Sequence, residues 1–164
     1  MKIVCNSSVI IALSYIVRLE LLWELFEEVY IPRAVYYKAC IKGQGRIGDK
    51  ELRRAIELKK INLIEVKNEL LVESLVDPLG KGEAEVVVAS LELKSDFVCL
   101  DDKLARRKAR SLGVKVKGTI SILGLALKRK LISVKEFKES IIKLKDFGFR
   151  FKDELIKSFL EKVI

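Results

Sequence analysis

Short apolar runs alternate along this chain with longer stretches whose apolar residues recur every third or fourth position, the signatures of strands and helices respectively. Lys2-Ile3-Val4-Cys5 reads as a strand. It ends at Asn6-Ser7-Ser8, residue types that favour helix N-caps, so the apolar stretch from Val9 to Ile16 is expected to be a buried helix. Leu19, Leu22, Trp23, Leu25 and Phe26 have helical spacing and predict a second helix, with Leu19, Leu22 and Trp23 expected in the core, the alternative being an interface between two copies. Val29-Tyr30-Ile31 is a strand pattern, and Pro32 is placed at the first position of a helix carrying Ala34, Val35 and Lys38 on successive turns. The glycine-rich stretch 43–48 is a loop, 49–60 an amphipathic helix and 61–66 an alternating half-buried or edge strand. Leu70, Leu71, Leu75 and Val76 suggest a short helix before Asp77-Pro78-Leu79-Gly80 breaks the chain.

Glu83 opens a helix to about Leu93. The run Phe97 to Leu100 then has the content of a strand buried on both faces, and it stops at Asp101-Asp102. The next helix carries Lys103, Arg106, Arg107, Lys108 and Arg110 opposite Leu104, Ala105, Ala109 and Leu112, with Gly113 as its stop. Val114-Lys115-Val116 predicts a further strand, Gly118-Thr119 the entry to an apolar helix, and 133–146 and 152–163 two amphipathic helices.

Strands alternating with helices imply an α/β fold, a mainly parallel sheet covered by helices on both faces. Ligands of such sheets bind beyond the carboxyl ends of the strands. The turns at Asn6, Asp101-Asp102 and Gly118-Thr119 are expected to meet at that edge, joined by Glu83 from a helix N-terminus. One aspartate suffices to cap a helix, so the pair calls for a second role.

Composition narrows the chemistry. Half of the 164 residues are apolar and 34% are charged, a globular balance. No apolar run approaches the roughly 18 residues of a membrane span and nothing resembles a cleavable leader, so no membrane association and a cytoplasmic location are expected. Histidine is absent, and Cys5, Cys40 and Cys99 are far apart, which argues against structural zinc and against Ser-His or Cys-His catalysis. The cysteines are expected to be buried thiols. A formal charge of +9 favours a polyanionic partner, nucleic acid being the commonest, although a soluble Lys/Glu-rich surface of thermophilic type has the same composition.

In order along the chain, Ile3-Val4-Cys5-Asn6-Ser7-Ser8, Ile31-Pro32-Arg33-Ala34-Val35, Gly80-Lys81-Gly82-Glu83-Ala84-Glu85, Leu100-Asp101-Asp102-Lys103-Leu104-Ala105-Arg106 and Val116-Lys117-Gly118-Thr119 resemble the motifs of the PIN-domain family. The likeness is to an archaeal and bacterial branch related to VapC-type toxins. It implies a three-layer sandwich around a parallel sheet of four or five strands. Residues 1–164 then form a single domain, with a core at about 1–127 and a helical extension at 128–164. It also implies a Mg²⁺- or Mn²⁺-dependent ribonuclease acting on single-stranded RNA, homodimeric and paired with an antitoxin protein.

Carried over residue by residue, the resemblance places Asn6, Glu83, Asp101 and Asp102 at the catalytic positions, with Glu83, Asp101 and Asp102 as metal ligands. Ser7, Lys38, Arg106, Arg107 and Thr119 become substrate contacts. Two positions depart from the family's acidic pattern: Asn6 replaces an aspartate and Lys38 a glutamate. Asn6 offers an oxygen without charge, and Lys38 would repel a cation or pair with Glu83 or Asp102. Weak metal binding and impaired catalysis are then expected. The alternative is an inactive RNA- or protein-binding module in which Lys38, Arg106, Arg107 and Arg110 contact phosphates.

Overall fold

The computed structural model describes residues 1–163. The chain runs β1 (Lys2–Cys5), α1 (Ser7–Tyr15), α2 (Leu21–Leu25), β2 (Glu28–Pro32), α3 (Arg33–Tyr36), a π-helical segment (Tyr37–Lys42) and α4 (Asp49–Glu57). It continues through β3 (Asn62–Ile64), α5 (Glu69–Leu79), α6 (Lys81–Leu93), β4 (Phe97–Cys99), α7 (Lys103–Ser111) and β5 (Val116–Lys117). α8 (Thr119–Lys128), α9 (Val134–Phe147) and α10 (Asp153–Glu161) complete it.

All five strands are parallel, in the order β3-β2-β1-β4-β5. β1 is central because Ile3, Val4 and Cys5 can all be buried, with Val4 opposite Tyr30 of β2 on one side and Val98 of β4 on the other. The chain first winds outward from β1 to β3, then crosses back to lay β4 and β5 on the other side. The gap between β1 and β4 is therefore the topological switch point, where parallel sheets open a crevice at their carboxyl edge. Helices flank the sheet as a three-layer α/β fold: α6 packs on β1, β2 and β4, while α8 packs on α1, α2, α9 and α10. Among the described residues, no helix is long and apolar enough to cross a membrane.

Several boundaries move for identifiable reasons. Pro32 closes β2 and precedes α3 rather than starting it. The helix expected to carry Lys38 widens into the π-helical segment, whose Cys40 carbonyl is taken by the Arg53 guanidinium at 2.7 Å. Arg53 also bonds the Asp49 carboxylate at 2.6 Å and the Tyr36 hydroxyl at 3.2 Å, tying this segment to α4. The expected strand at 114–116 starts later, because Gly113 and Val114 close α7 by donating to Arg110 and Ala109 (both 3.0 Å). α5 extends to Leu79, with a break at Asp77 (φ −104°, ψ 117°).

Cys5, Cys40 and Cys99 are free and buried. Leu19 and Leu22 are in the core, with Trp23 packed against it. In the C-terminal part, Ser133 and Glu136 form a reciprocal cap on α9. Gly124 of α8 receives the ring of Phe159 from α10, which would lie 2.3 Å from a β-carbon there.

Candidate active site at the sheet edge

Asn6 is the first residue beyond β1, and its backbone N–H continues the strand ladder by donating to the Cys99 carbonyl at 3.1 Å. Its side chain is 2% exposed. The amide Nδ2 donates to Glu83 Oε1 at 3.3 Å, while Oδ1 is buried with no hydrogen-bond partner. Such an orphaned acceptor is costly, and its presence at the switch point marks a place for a donor or a cation. Glu83 reaches Asn6 from the first turn of α6, where the helix dipole favours a carboxylate. Gly80 runs close to the pair: a β-carbon there would sit 3.1 Å from Glu83 Oε2, at a backbone φ of +87° that disfavours other residues.

The two aspartates after β4 divide their work. Asp102 caps α7, its Oδ2 accepting the Ala105 N–H at 2.9 Å. Asp101 reaches sideways to the start of α8, where Oδ1 accepts the Thr119 N–H at 2.8 Å and Oδ2 accepts the Thr119 hydroxyl at 2.6 Å. Thr119 is fully buried, so its hydroxyl is committed to this bond. Gly118 lies against both Asp101 and Arg106: its absent β-carbon would be 3.0 Å from Asp101 Oδ1 and 3.5 Å from an Arg106 terminal nitrogen. Arg106 Nε is buried and unpartnered.

Lys38 is exposed and makes no ion pair among the described residues, so the expected pairing with Glu83 or Asp102 is not formed. The π-helical turn directs it instead into a groove of about 850 Å³ shared with Lys42, Lys81, Glu69 and Glu73. Ser7 is buried, whereas the hydroxyl of its neighbour Ser8 is shielded and unpartnered. Arg107 is exposed on α7.

Sequence reasoning missed the close approaches at Gly80 and Gly118, although the glycine beside Glu83 carried a signal. Directly beneath the edge, Cys5 and Cys99 are register partners on β1 and β4. Burial, with the hydrogen bond to Cys5 next in size, pushes the Cys99 thiol well above the ordinary range and keeps it neutral.

Among the described residues, no three or more Asp, Glu or Cys side chains are grouped to hold a metal ion. The oxygens at the edge nonetheless suit a hard cation: Glu83 supplies charge and Asn6 Oδ1 an unused carbonyl lone pair beside it. Mg²⁺ often binds through one or two carboxylates, completed by water and substrate phosphate. The donor set therefore fits a cation shared with a phosphate ligand better than a cage made wholly of protein.

A family model described as a PIN domain (DUF3368) matches residues 2–164, a span that takes in α9 and α10. No curated protein and no solved structure matches the chain.

Proposed function

Because the chain belongs to the PIN-domain family, whose fold is of nuclease type, we propose that it is a metal-dependent endoribonuclease acting on single-stranded RNA with a reduced acidic centre. The observation that carries this reading is the buried, unpartnered Oδ1 of Asn6, placed against Glu83 at the switch point. A Mg²⁺ or Mn²⁺ ion at this edge would neutralise phosphate charge and lower the pKa of an attacking water. Glu83 supplies the negative charge, Asn6 orients Glu83 and offers its free oxygen, and Asp102, which also caps α7, is the proposed second carboxylate. Asp101 holds the Thr119 end of α8 in place beside them. Arg106 and Arg107 are the proposed phosphate contacts, with Ser7 and Thr119 shaping the floor. The likeness to VapC-type toxins extends the proposal to a homodimer restrained by an antitoxin protein.

A second reading, a non-catalytic RNA-binding module, is favoured by one observation: both oxygens of Asp101 are already engaged by Thr119. Calorimetric titration with Mn²⁺ alongside cleavage of labelled single-stranded RNA separates the two. Cleavage that requires Mn²⁺ and is abolished by Glu83→Gln and Asp102→Asn supports the enzyme. RNA binding indifferent to EDTA, without cleavage, supports the module.

A further inference from the structure

The positive charge of this protein is unevenly placed. Seven basic residues and no acidic one lie between Lys103 and Lys117, against a net charge of +9 for the whole chain. On α7, Lys103, Arg106, Arg107 and Arg110 recur at positions i, i+3, i+4 and i+7, which makes one stripe opposite the buried Ala105 and Ala109. Like charges at these spacings disfavour a helix by a few tenths of a kcal/mol per pair, so the stripe is maintained against its own local stability. None of these side chains has an acidic partner within ion-pair distance among the described residues. Beside it, exposed Lys115 leads into the edge strand β5, which adds Lys117 with its ammonium 4.4 Å from the Phe97 ring centroid. Lysines guard many edge strands against pairing with another chain, which accounts for these two but not for the stripe on α7.

Two other basic regions are balanced. In the groove that holds Lys38, Arg33 pairs with Glu65, and Glu69 and Glu73 face the lysines. On α9 and α10, lysines alternate with glutamates and aspartates. The unbalanced face is also continuous with the candidate site: β5 ends at Gly118, against which Arg106 and Asp101 both lie.

We propose that α7 and β5 form a one-sided track for the phosphate backbone of single-stranded RNA, delivering it to the sheet edge at Gly118 from the β5 side and not through the Lys38 groove. The proposal rests on the reading of the domain as one that acts on RNA. α7 is about 13 Å long, enough for a few consecutive phosphates. Lys103, Arg107 and Arg110 contact the backbone away from the site, and Arg106 holds the phosphate nearest Gly118.

The test is fluorescence anisotropy of a labelled uridine oligomer, in EDTA, over a range of KCl concentrations. Replacing three phosphate contacts by K103Q/R107Q/R110Q should weaken binding about tenfold or more and flatten the log-log salt slope by about 2, at about 0.7 per contact for a single strand. A control with the same charge change on α9 and α10, K138Q/K143Q/K157Q, should bind within about twofold of the parent. Circular dichroism melts check that both variants fold. Equal weakening by the two triple variants, an unchanged slope for the α7 variant, no RNA binding by the parent, or binding of polyglutamate in place of RNA would each overturn the track. Cleavage in Mn²⁺ is scored separately. An α7 variant that binds and cuts normally defeats the track alone, whereas a parent that binds through α7 but never cuts defeats the nuclease reading alone.

Discussion

Asp101 offers the sharpest test of how the sheet edge is built, because its two oxygens hold one residue 18 positions away. Asp101→Ala would strand the Thr119 N–H and hydroxyl in a site with no solvent access, at a cost of about 2–4 kcal/mol for the lost charged acceptor. Asp101→Asn keeps an acceptor for the N–H and can donate its amide to the hydroxyl. It forfeits only the charge assistance and the favourable carboxylate at the α8 N-terminus, about 1 kcal/mol. Thr119→Val removes the hydroxyl bond alone, again about 1 kcal/mol. Urea denaturation in EDTA measures all three, and the Asp101→Ala/Thr119→Val double variant closes a cycle whose coupling should be about 1 kcal/mol. If Asp101→Asn proves as damaging as Asp101→Ala, or if the pair is strictly additive, the clamp is not what positions α8. If all variants lie within about 0.5 kcal/mol of the parent, Asp101 has no anchoring role.

Gly124→Ala should destabilise the protein by about 1–3 kcal/mol and expose α10 to limited proteolysis, because the new methyl meets the Phe159 ring; Phe159→Ala in the same chain should relieve the added strain. The N–H of Gly45 and the Arg53 guanidinium hold the Asp49 carboxyl below its usual range. The unfolded chain therefore binds the extra proton first, so this contribution to stability is complete above the ordinary carboxylate range of about 4 and disappears as pH falls through the lowered value. Asp49→Asn should flatten the acid limb of a pH–stability curve, read from urea midpoints between pH 2 and 7, about the span of carboxylate titration. Burial raises the Cys40 thiol to about 11, so iodoacetamide at neutral pH should label it only on unfolding; rapid labelling of the native protein would contradict its placement.

The architecture was readable because each strand of the central trio ends in turn chemistry that declares itself: Asn6-Ser7-Ser8 after β1, Pro32 after β2, the aspartate pair after β4. Buried hydrophobic runs supplied the rest. What could not be read were consequences of distant partners. The widened turn that carries Lys38 is coupled to Arg53, whose guanidinium takes the Cys40 carbonyl from 13 residues away. Asp101 and Asp102 are adjacent and chemically identical, and only the position of α8 decides which one caps a helix and which one braces its neighbour. The Asn6–Glu83 bond joins residues 77 apart, so family resemblance could align the two positions but not show an amide donating to the carboxylate.

That amide explains how the edge is stable without a full acidic ring. Were residue 6 an aspartate at the same 3.3 Å from Glu83 Oε1, two like charges would repel by about 5 kcal/mol at an effective dielectric of 20, before the side chains relax. Glu83 is half-buried and free to relax away from the new charge, so a net loss of about 2 kcal/mol is expected for Asn6→Asp in EDTA. A divalent cation binding between the new pair reverses the sign, since ligand that binds only the folded state at a hundred times its dissociation constant returns about 2.7 kcal/mol. Thermal melts with EDTA or Mn²⁺ should therefore show Asn6→Asp below the parent without metal and level with it, or above, when metal is present. Asn6→Ala should lose stability in both conditions without metal rescue, because it leaves Glu83 short of its donor. An Asn6→Asp protein as stable as the parent in EDTA would mean that residues 6 and 83 do not share a site. One that is destabilised but indifferent to Mn²⁺ would mean that the edge, even with its charge restored, is not a cation site.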